Sequence, residues 1–358
     1  MLFALWCICG AVQVIITVYL ASAFTKKVKA TDEYTPYMSI IVAAHNEDLN
    51  LQKLVPLLLS QDYNHFEIVI ALDRCTDNSS NYLKKLAASS ISILEINEVP
   101  KDWNPKKYAL KQATSKANGE WLVFTDADCA PASNQWLKSV AQCASNDKEI
   151  IIGVSPYLSQ TSFLSHFIRH EAFMTAFSYV ARALKGKPYM AVGRNMAVRR
   201  SFFEASPGYD QMKSIQGGDD DLFIQSNATG TNTAVMLGSN SLMFTYPKTT
   251  WRSYWNQKVR HLSVGASYKL SDHLFLSSNH LSHLLFVVLA TFTTAQYFFL
   301  PVFLFYLFIK FVSYRFAAGK MGMNINYILL PLVDILYSVL IPVIALWSKL
   351  EKDIKWKN

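Results

Sequence analysis

The feature that most constrains this fold is an alternation of short apolar strands with amphipathic segments between residues 37 and 129. Apolar, β-branched runs begin at Tyr37, Phe66, Ile91 and Glu120, and a segment with helical spacing separates each run from the next. Strands and helices that alternate in this way form a mostly parallel sheet with helices on both faces. The pattern therefore predicts an α/β fold.

Polar side chains follow three of these strands, as His45-Asn46-Glu47, Asp73 to Asp77, and Asp126-Ala127-Asp128. Ligands bind such sheets at the carboxyl ends of the strands, so the three clusters are expected to form one site. Asp126 and Asp128 are one residue apart and share a face of an extended chain. Two carboxylates on one face repel unless a cation lies between them, and oxygen ligands suit Mg²⁺ or Mn²⁺. A solvated loop pair is the alternative on spacing alone.

Both ends of the chain are apolar enough to cross a membrane. Residues 1–24 contain no charged side chain, and residues 281–350 contain only five. We predict an N-terminal anchor at 1–24, a cytoplasmic catalytic domain at 30–250, a basic, Trp-rich interfacial segment at 251–280 and transmembrane helices at 281–350. Lys26, Lys27 and Lys29 favour an anchor with its N-terminus outside over a signal peptide cleaved near Ala21-Ser22-Ala23.

The number of C-terminal spans stays open at this stage. Residues 281–313 contain Pro301 and predict two short spans, and residues 325–347 predict another. Lys310, Arg315, Lys320 and the basic tail 349–358 are all expected in the cytoplasm, which requires that 325–347 forms a hairpin or re-entrant segment. The amphipathic helix predicted at 163–184 would pack on the core or lie at the membrane interface.

Charge and cysteine content exclude some classes of protein. The net charge of +8 is explained by basic residues near the membrane ends, which meet anionic lipid headgroups, and no nucleic-acid-binding motif is present. Five cysteines without metal or disulfide spacing fit a reducing compartment.

Taken together, seven segments of the chain resemble the motifs of glycosyltransferase family 2 and occur in the order of that family. They are SIIVAAHNE (39–47), IVIALDRCTDNS (68–79), NPKKYALK (104–111), WLVFTDADC (121–129), GRNMAVRRSFF (193–203), GGDDDL (217–222) and NQKVRH (256–261). The resemblance covers residues 37–265. It implies a Rossmann-like, mixed and mostly parallel sheet of the A-type nucleotide-sugar-binding fold, joined to membrane helices.

The resemblance also implies roles for single residues on the donor side. Glu47 and Asp73 would contact the base and ribose of the nucleotide, and Lys106 would lie near it. Asp126 would bind the donor's sugar, and Asp128 would ligate the metal together with Asp126. Arg260, with Gln257 of the same motif, would bind the pyrophosphate.

On the acceptor side, the general base would be one of Asp219, Asp220 and Asp221. Alignment on Leu222 makes it Asp219 and alignment on Gly218 makes it Asp220, which we favour. For Arg194 and Asn195, an acceptor or donor-sugar contact is as well supported as a structural hydrogen bond. His261 replaces the tryptophan that lines the acceptor site of processive polymerases, so transfer of a single sugar is expected.

The resulting hypothesis is an inverting, metal-dependent transfer from a UDP- or GDP-linked sugar to a lipid or glycan acceptor, at the cytoplasmic face of the cell inner membrane. A nucleotidyltransferase is one alternative, but it would carry a Gly-rich phosphate loop where this chain has His45-Asn46-Glu47-Asp48. A non-catalytic membrane scaffold is the other, and it would show a degraded acidic motif. The donor, the sugar, the acceptor and the oligomeric state do not follow from the sequence.

Overall fold

The computed structural model describes residues 1–26, 34–86 and 88–351. Lys27, Lys29 and the tail beyond Glu351, which carry part of the predicted membrane topology, lie outside these residues. The chain divides into two compact units. We call them the sheet unit (Val28–Leu158 and Ala183–Tyr246) and the helical unit (Met1–Lys27, Ser159–Arg182 and Pro247–Asn358). The segment 159–182, which we had predicted to lie within the catalytic domain, belongs to the helical unit.

The sheet unit contains a seven-stranded sheet and a two-stranded sheet. The strands are β1 (Met38–Ala44), β2 (Phe66–Asp73), β3 (Ile91–Ile96), β4 (Trp121–Asp126), β5 (Cys129–Pro131), β6 (Ile150–Ile152), β7 (Met196–Arg199), β8 (Thr233–Val235) and β9 (Met243–Thr245). The larger sheet has the order β3-β2-β1-β4-β7-β6-β8, and β5 pairs with β9. Only β7 runs against the other strands of the larger sheet. The prediction of a mixed, mostly parallel sheet is therefore confirmed.

The helices, in chain order, cover both units. Those of the sheet unit are α2 (Asp48–Leu59), α3 (Ser79–Leu86), α4 (Pro105–Lys116), α5 (Trp136–Cys143), α7 (Arg200–Ala205) and α8 (Asp221–Asn227). Those of the helical unit are α1 (Leu2–Ala21), α6 (Phe163–Leu184, except its last two residues), α9 (Trp251–Val264), α10 (Leu270–Thr293), α11 (Phe299–Met321) and α12 (Leu330–Leu350).

The centre of the sheet is dry because β1 lies between two other apolar strands. Ile40 of β1 is paired with Ile68 of β2 on one side and with Val123 of β4 on the other. All three side chains are at most 1% exposed. Strands buried on both faces are continuous apolar runs, so their first polar residues mark the strand ends. This packing holds the polar strand ends rigidly at one edge of the sheet.

Four helices in the described part of the chain are long and apolar enough to cross a membrane: Leu2–Thr25 (α1 and one further turn), α10, α11 and α12. Residues 270–280, which were assigned to the interfacial segment, are the start of α10. α12 is one continuous helix, so the hairpin that was left open for residues 325–347 does not form. Pro301 lies in the first turn of α11, where its missing N–H breaks no helical bond, so it does not divide that helix.

A buried ionic cluster joins the helices of the helical unit. Asp334 of α12 lies 2.7 Å from Nζ of Lys310, 3.0 Å from Nε2 of His283 and 3.4 Å from Nε2 of His170. All four side chains are buried. Ionisable groups in apolar helices are costly unless they pair with one another. Lys310 is thus a buried partner of Asp334, and its expected place on the cytoplasmic side stays a prediction.

Candidate active site

The carboxyl ends of β1 and β2 form the first wall of the site. Asp73, the last residue of β2, is 1% exposed, and its two carboxylate oxygens accept hydrogen bonds from Nε and Nη2 of Arg74 at 2.8 and 3.0 Å. Nδ1 of His45, just beyond β1, lies 2.6 Å from the carbonyl oxygen of Asp73. Asn46 and Arg74 both adopt a positive φ, of 54° and 47°. Such strained backbone is common where a fold presents functional groups.

Glu47 stands at the N-cap of α2, and its Oε2 accepts a hydrogen bond of 2.6 Å from Nδ2 of Asn50. The predicted donor-binding residues Glu47 and Asp73 thus lie at the ends of neighbouring strands. This is the placement that the strand pattern led us to expect.

The two aspartates after β4 come together by a turn rather than by a shared strand face. β4 ends at Asp126, and residues 127–128 form a turn before β5 begins at Cys129. The ligand atoms of Asp126, Asp128 and Cys129 lie within 4.8 Å of one another. Two carboxylates at that separation fit a hard divalent cation such as Mg²⁺ or Mn²⁺, since these ions prefer oxygen ligands.

Cys129 does not fit such an ion as a ligand. Burial, followed by the nearby charges of Asp126 and Asp128, raises the pKa of its thiol well above the usual range. A thiol that stays protonated is a poor ligand, and thiolates favour softer metals. Cys129 is 4% exposed and is a packing residue of the sheet core.

Lys106 joins the donor-side carboxylates to the acidic motif. It follows Pro105 in the first turn of α4, which is capped by the side chain of Asn104. Its Nζ lies 3.0 Å from Oδ1 of Asp126 and 3.0 Å from Oδ2 of Asp219. Burial opposes the charge of this ammonium, but Asp126 and Asp219 together raise the pKa of Lys106. The predicted donor residue Lys106 therefore contacts two predicted functional carboxylates at once.

The three consecutive aspartates lie at the N-terminus of α8, with Asp220 as the N-cap. Oδ1 of Asp220 accepts from the N–H of Asp221 at 2.8 Å, and Oδ2 accepts from the N–H of Gly193 at 2.6 Å. Both oxygens of Asp220 are thus held by backbone. Asp219 is 9% exposed and is held through Oδ2 by Lys106. Asp221 is also 9% exposed and is the first residue of α8.

Asp219 and Asp220 have opposite protonation behaviour. Burial would raise the pKa of Asp219, but the ammonium of Lys106 and then that of Lys107 hold it below its usual value. Burial and the negative charge of Asp219 raise the pKa of Asp220 to about 6. The pKa values of two neighbouring carboxylates separate in this way because ionising one of them costs less free energy than ionising both. At neutral pH Asp219 is the more firmly ionised of the two.

Arg194 lies close enough to Asp126 and Asp128 for their negative charges to act on it. Its Nε donates to Oγ of Ser155 at 2.6 Å, and its guanidinium lies 5.4 Å from the ring centroid of Tyr157. Burial opposes its charge, but Tyr157, Cys129, Asp126 and Asp128 raise the pKa of this guanidinium. Arg194 is therefore a cation beside the Asp126–Asp128 pair.

Asn195 has a structural role, not the acceptor contact that was one of the two predictions for it. The side chain is 0% exposed. Its Nδ2 donates to the carbonyl oxygens of Val154 and Ser241 at 2.7 and 2.9 Å, and its Oδ1 accepts from Nε1 of Trp136 at 2.9 Å. These bonds use both donors of the amide, so the side chain fastens the turn that carries Arg194.

The remaining predicted residues, Gln257, Arg260 and His261, belong to α9 of the helical unit. Their spacing of three and four residues places them on one side of that helix. α9 is fastened to α6 by an ion pair, in which Nζ of Lys258 lies 2.6 Å from Oε2 of Glu171. Trp251 of α9 also packs on Phe167 of α6, with the two ring centroids 5.6 Å apart. The helix that carries this motif is therefore held by a buried ion pair and aromatic packing.

The sequence interpretation missed Lys107, a fully buried lysine beside Lys106. A signal was present: Lys107, Leu110 and Thr114 recur at helical spacing and form part of the buried side of α4. An ammonium on the inward side of a helix is unusual and marks a position with a specific partner.

Comparisons with known proteins agree with this fold. The profile of the family described as Glycosyl transferase family 2 matches residues 39–206. A probable glycosyltransferase of Bacillus subtilis (strain 168), YdaM, is 22% identical over 233 residues, which cover 63% of this chain and 54% of that protein. A beta-monoglucosyldiacylglycerol synthase of Nostoc sp. (strain PCC 7120) is 31% identical over 107 residues, which cover 29% of this chain and 23% of that protein. The chain thus matches about half, or less, of the length of these relatives.

Among solved structures, the fold resembles that of a mannosyltransferase from Pyrobaculum calidifontis, PcManGT, determined in complex with GDP-Man and Mn²⁺. The TM-score is 0.63 at 17% identity, with 97% of this chain and 98% of the other covered. The strand order, the acidic turn after β4 and the family match all lead to one conclusion. Residues 39–206 of this chain form a glycosyltransferase family 2 domain.

Proposed function

We propose that this protein is an inverting glycosyltransferase that moves one sugar from a nucleotide diphosphate donor to a membrane-associated lipid or glycan. The observation that carries the proposal is the placement of Lys106 between Asp126 and Asp219, next to the Asp126–Asp128 pair. It supports a site in which a metal-binding carboxylate pair and a buried acidic residue meet at one donor sugar.

In the proposed reaction the acceptor oxygen attacks the anomeric carbon from the side opposite the diphosphate. The new carbon–oxygen bond forms as the bond to the diphosphate breaks, which inverts the anomeric centre and releases the nucleoside diphosphate. Asp126 and Asp128 would hold Mg²⁺ or Mn²⁺, which neutralises the leaving diphosphate. Arg194 adds a positive charge on the same side, while Asp219 accepts the proton of the acceptor hydroxyl.

The geometry supports Asp219 as the general base, although the sequence led us to favour Asp220. Asp219 shares Lys106 with Asp126, the proposed sugar-binding residue, and its pKa is lowered, so it stays ionised at neutral pH. Both oxygens of Asp220 already accept backbone hydrogen bonds. Asp220 therefore serves to hold the turn at Gly193 against α8.

The relatives and the helices support the proposed donor, metal, acceptor and location. The GDP-Man and Mn²⁺ bound to PcManGT support a nucleotide sugar and a divalent metal here, and the name of the Nostoc synthase supports a lipid acceptor. The four apolar helices support a multi-pass membrane protein. The lysines that follow the first apolar run support a sheet unit in the cytoplasm, at the cell inner membrane. His261 in place of a tryptophan supports single addition rather than polymerisation.

The test begins with detergent-solubilised protein and a thermal-shift screen of UDP- and GDP-sugars with Mn²⁺, followed by transfer and hydrolysis assays with the donor that binds. Asp219→Asn is expected to lose at least about 100-fold in kcat with donor affinity retained, because it removes the proton acceptor. Asp220→Asn should keep more activity, and the exposed control Asp147→Asn should behave as wild type.

Other outcomes would refute parts of the proposal. Equal and full activity of Asp219→Asn and Asp220→Asn would show that the acidic motif is not the base. Absence of binding by every nucleotide sugar would favour a non-catalytic scaffold. Release of pyrophosphate from a nucleoside triphosphate would favour a nucleotidyltransferase.

A further inference from the structure

Lys107 is a buried charge that the proposed reaction does not use. The side chain is 0% exposed, and its Nζ donates to the carbonyl oxygens of Met212 and Ile215 at 2.8 and 3.0 Å. Burial lowers the pKa of this ammonium to about 8. Removing an ammonium from water costs several kcal/mol, and two neutral carbonyls offset only part of that cost. A side chain kept at this cost is expected to have a role that an apolar residue cannot fill.

Both carbonyl groups belong to one segment, residues 209–218, which we call the base loop because it leads directly into Asp219. The loop ends in two glycines with positive φ, Gly217 at 80° and Gly218 at 71°. Glycines in this conformation allow the chain to turn but give it little stiffness. The position of Asp219 therefore depends on contacts that other elements make with the loop.

The first turn of α4 supplies those contacts. Besides the two bonds from Lys107, Nδ2 of Asn104 donates to Oε1 of Gln216 at 3.0 Å, and the N–H of Asn104 donates to the carbonyl oxygen of Lys213 at 2.5 Å. Oδ1 of Asn104 also accepts from the N–H of Lys107 at 3.2 Å and caps the helix. One N-cap residue thus starts the helix, orients Lys107 and holds the loop.

Lys107 also acts on the carboxylate at the end of the loop. Burial raises the pKa of Asp219, the charge of Lys106 lowers it most, and the charge of Lys107 lowers it further. Lys106 contacts the carboxylate of Asp219 itself, whereas the buried Lys107 acts through the backbone of the loop. The two adjacent lysines therefore have separate tasks.

We propose that Lys107 is a positioning residue that holds the base loop on the first turn of α4 and so determines where the general base lies. The inference rests on the proposed function, because it assumes that Asp219 is the base. Lys107 lies within the motif NPKKYALK (104–111), but the resemblance gives this residue no functional role.

The experiment compares Lys107→Met with Lys111→Met. Methionine keeps most of the length of the buried side chain without the charge. Lys111, on the same helix, contacts the same loop, with its Nζ 2.6 Å from Oδ1 of Asp210, but the side chains of Lys111 and Asp210 are both largely exposed. Donor affinity is measured by calorimetry with Mn²⁺ and GDP-mannose or UDP-glucose, whichever the wild type binds, and kcat is expressed per donor-binding site. The acid limb of the pH profile of kcat/KM is recorded for each variant in the Asp220→Asn background, where it reports Asp219.

For Lys107→Met we expect kcat to fall about 10- to 100-fold with donor Kd changed less than about threefold, because a small displacement of the base slows only the chemical step. In the Asp220→Asn background the acid limb should move to higher pH, since Asp219 loses one positive neighbour while Lys106 remains beside it. A loss of folded protein alone would leave both kcat per site and the limb unchanged. Lys111→Met should stay within about twofold of wild type.

Gln216→Ala provides a second variant, since it removes the tie to Asn104 without changing any charge. It should lower kcat by a smaller factor in the same direction and leave the acid limb in place. The proposal is overturned if Lys107→Met turns over like Lys111→Met per donor-binding site, or if its loss lies in donor Kd. Failure of the proposed function is a different result, namely that the wild type binds and turns over no nucleotide sugar.

Discussion

Replacement of Lys106 by methionine tests the central contact of the site through stability alone. Nζ of Lys106 lies 3.0 Å from a carboxylate oxygen of Asp126 and of Asp219, and its side chain is 19% exposed. At an effective dielectric constant of about 20, each contact contributes a Coulomb attraction of about 5 kcal/mol, of which desolvation offsets a large part. Removal of one partner of a buried ion pair costs about 3–5 kcal/mol.

Because Asp126 is 32% exposed, we expect the lower end of that range, about 3 kcal/mol. For a domain of this size that corresponds to a melting temperature lower by about 6–12 °C. The assay is thermal unfolding of the detergent-solubilised protein without donor, with Lys111→Met as the matched control for a surface pair, expected within about 2 °C of wild type.

A second substitution separates repulsion from lost packing. In the Lys106→Met background, Asp219→Asn removes one of the two carboxylates left without their cation, so it should restore at least half of the lost stability. The reasoning is refuted if Lys106→Met melts no lower than Lys111→Met, or if Asp219→Asn lowers the stability of Lys106→Met further.

Two further predictions concern the metal and the pH dependence. Asp128→Ala should reduce transfer at millimolar Mn²⁺ by about 100-fold or more, as expected when several kcal/mol of charge stabilisation are lost; undiminished turnover would contradict the metal assignment. Because the pKa of Asp220 is raised to about 6, protonation below that pH should lower wild-type kcat/KM as the bonds to Gly193 and Asp221 weaken. In Asp220→Asn this limb should move to lower pH, toward the lowered pKa of Asp219; an unmoved limb would exclude Asp220 as its cause.

Most of the donor side of the site followed from local sequence pattern. Each of β1, β2 and β4 is an apolar run whose first polar residues must appear where the strand leaves the dry sheet. The clustering of Glu47, Asp73 and Asp126 could therefore be predicted without coordinates. The same holds for the start of α8 at Asp221, since aspartates favour the N-terminal turn of a helix.

The shorter strands and the turn after β4 could not be predicted as well from the sequence. β6 and β8 have three residues each, and β6 pairs with β7 on one side and with β8 on the other, which joins segments more than 30 residues apart. Runs of that length carry no reliable periodicity. Asp126 and Asp128 were expected to meet on a strand face, but they meet because β4 ends between them. The two carboxylates lie close together as expected, but a turn brings them together and not a shared face of a strand.

The sequence by itself determined the elements whose character is local: the strand and helix alternation, the polar strand ends, the acidic helix start and the apolar spans. Only the tertiary structure decided which polar groups are partners. It made Asn195 a structural side chain, paired Lys310 with Asp334, placed Lys106 between two carboxylates and tied Lys107 to the base loop. The reason is physical. A polar group at an apolar position of the sequence must find a hydrogen-bond or ion-pair partner when it is buried. That partner comes from a distant segment of the chain, and only the fold brings the two groups together.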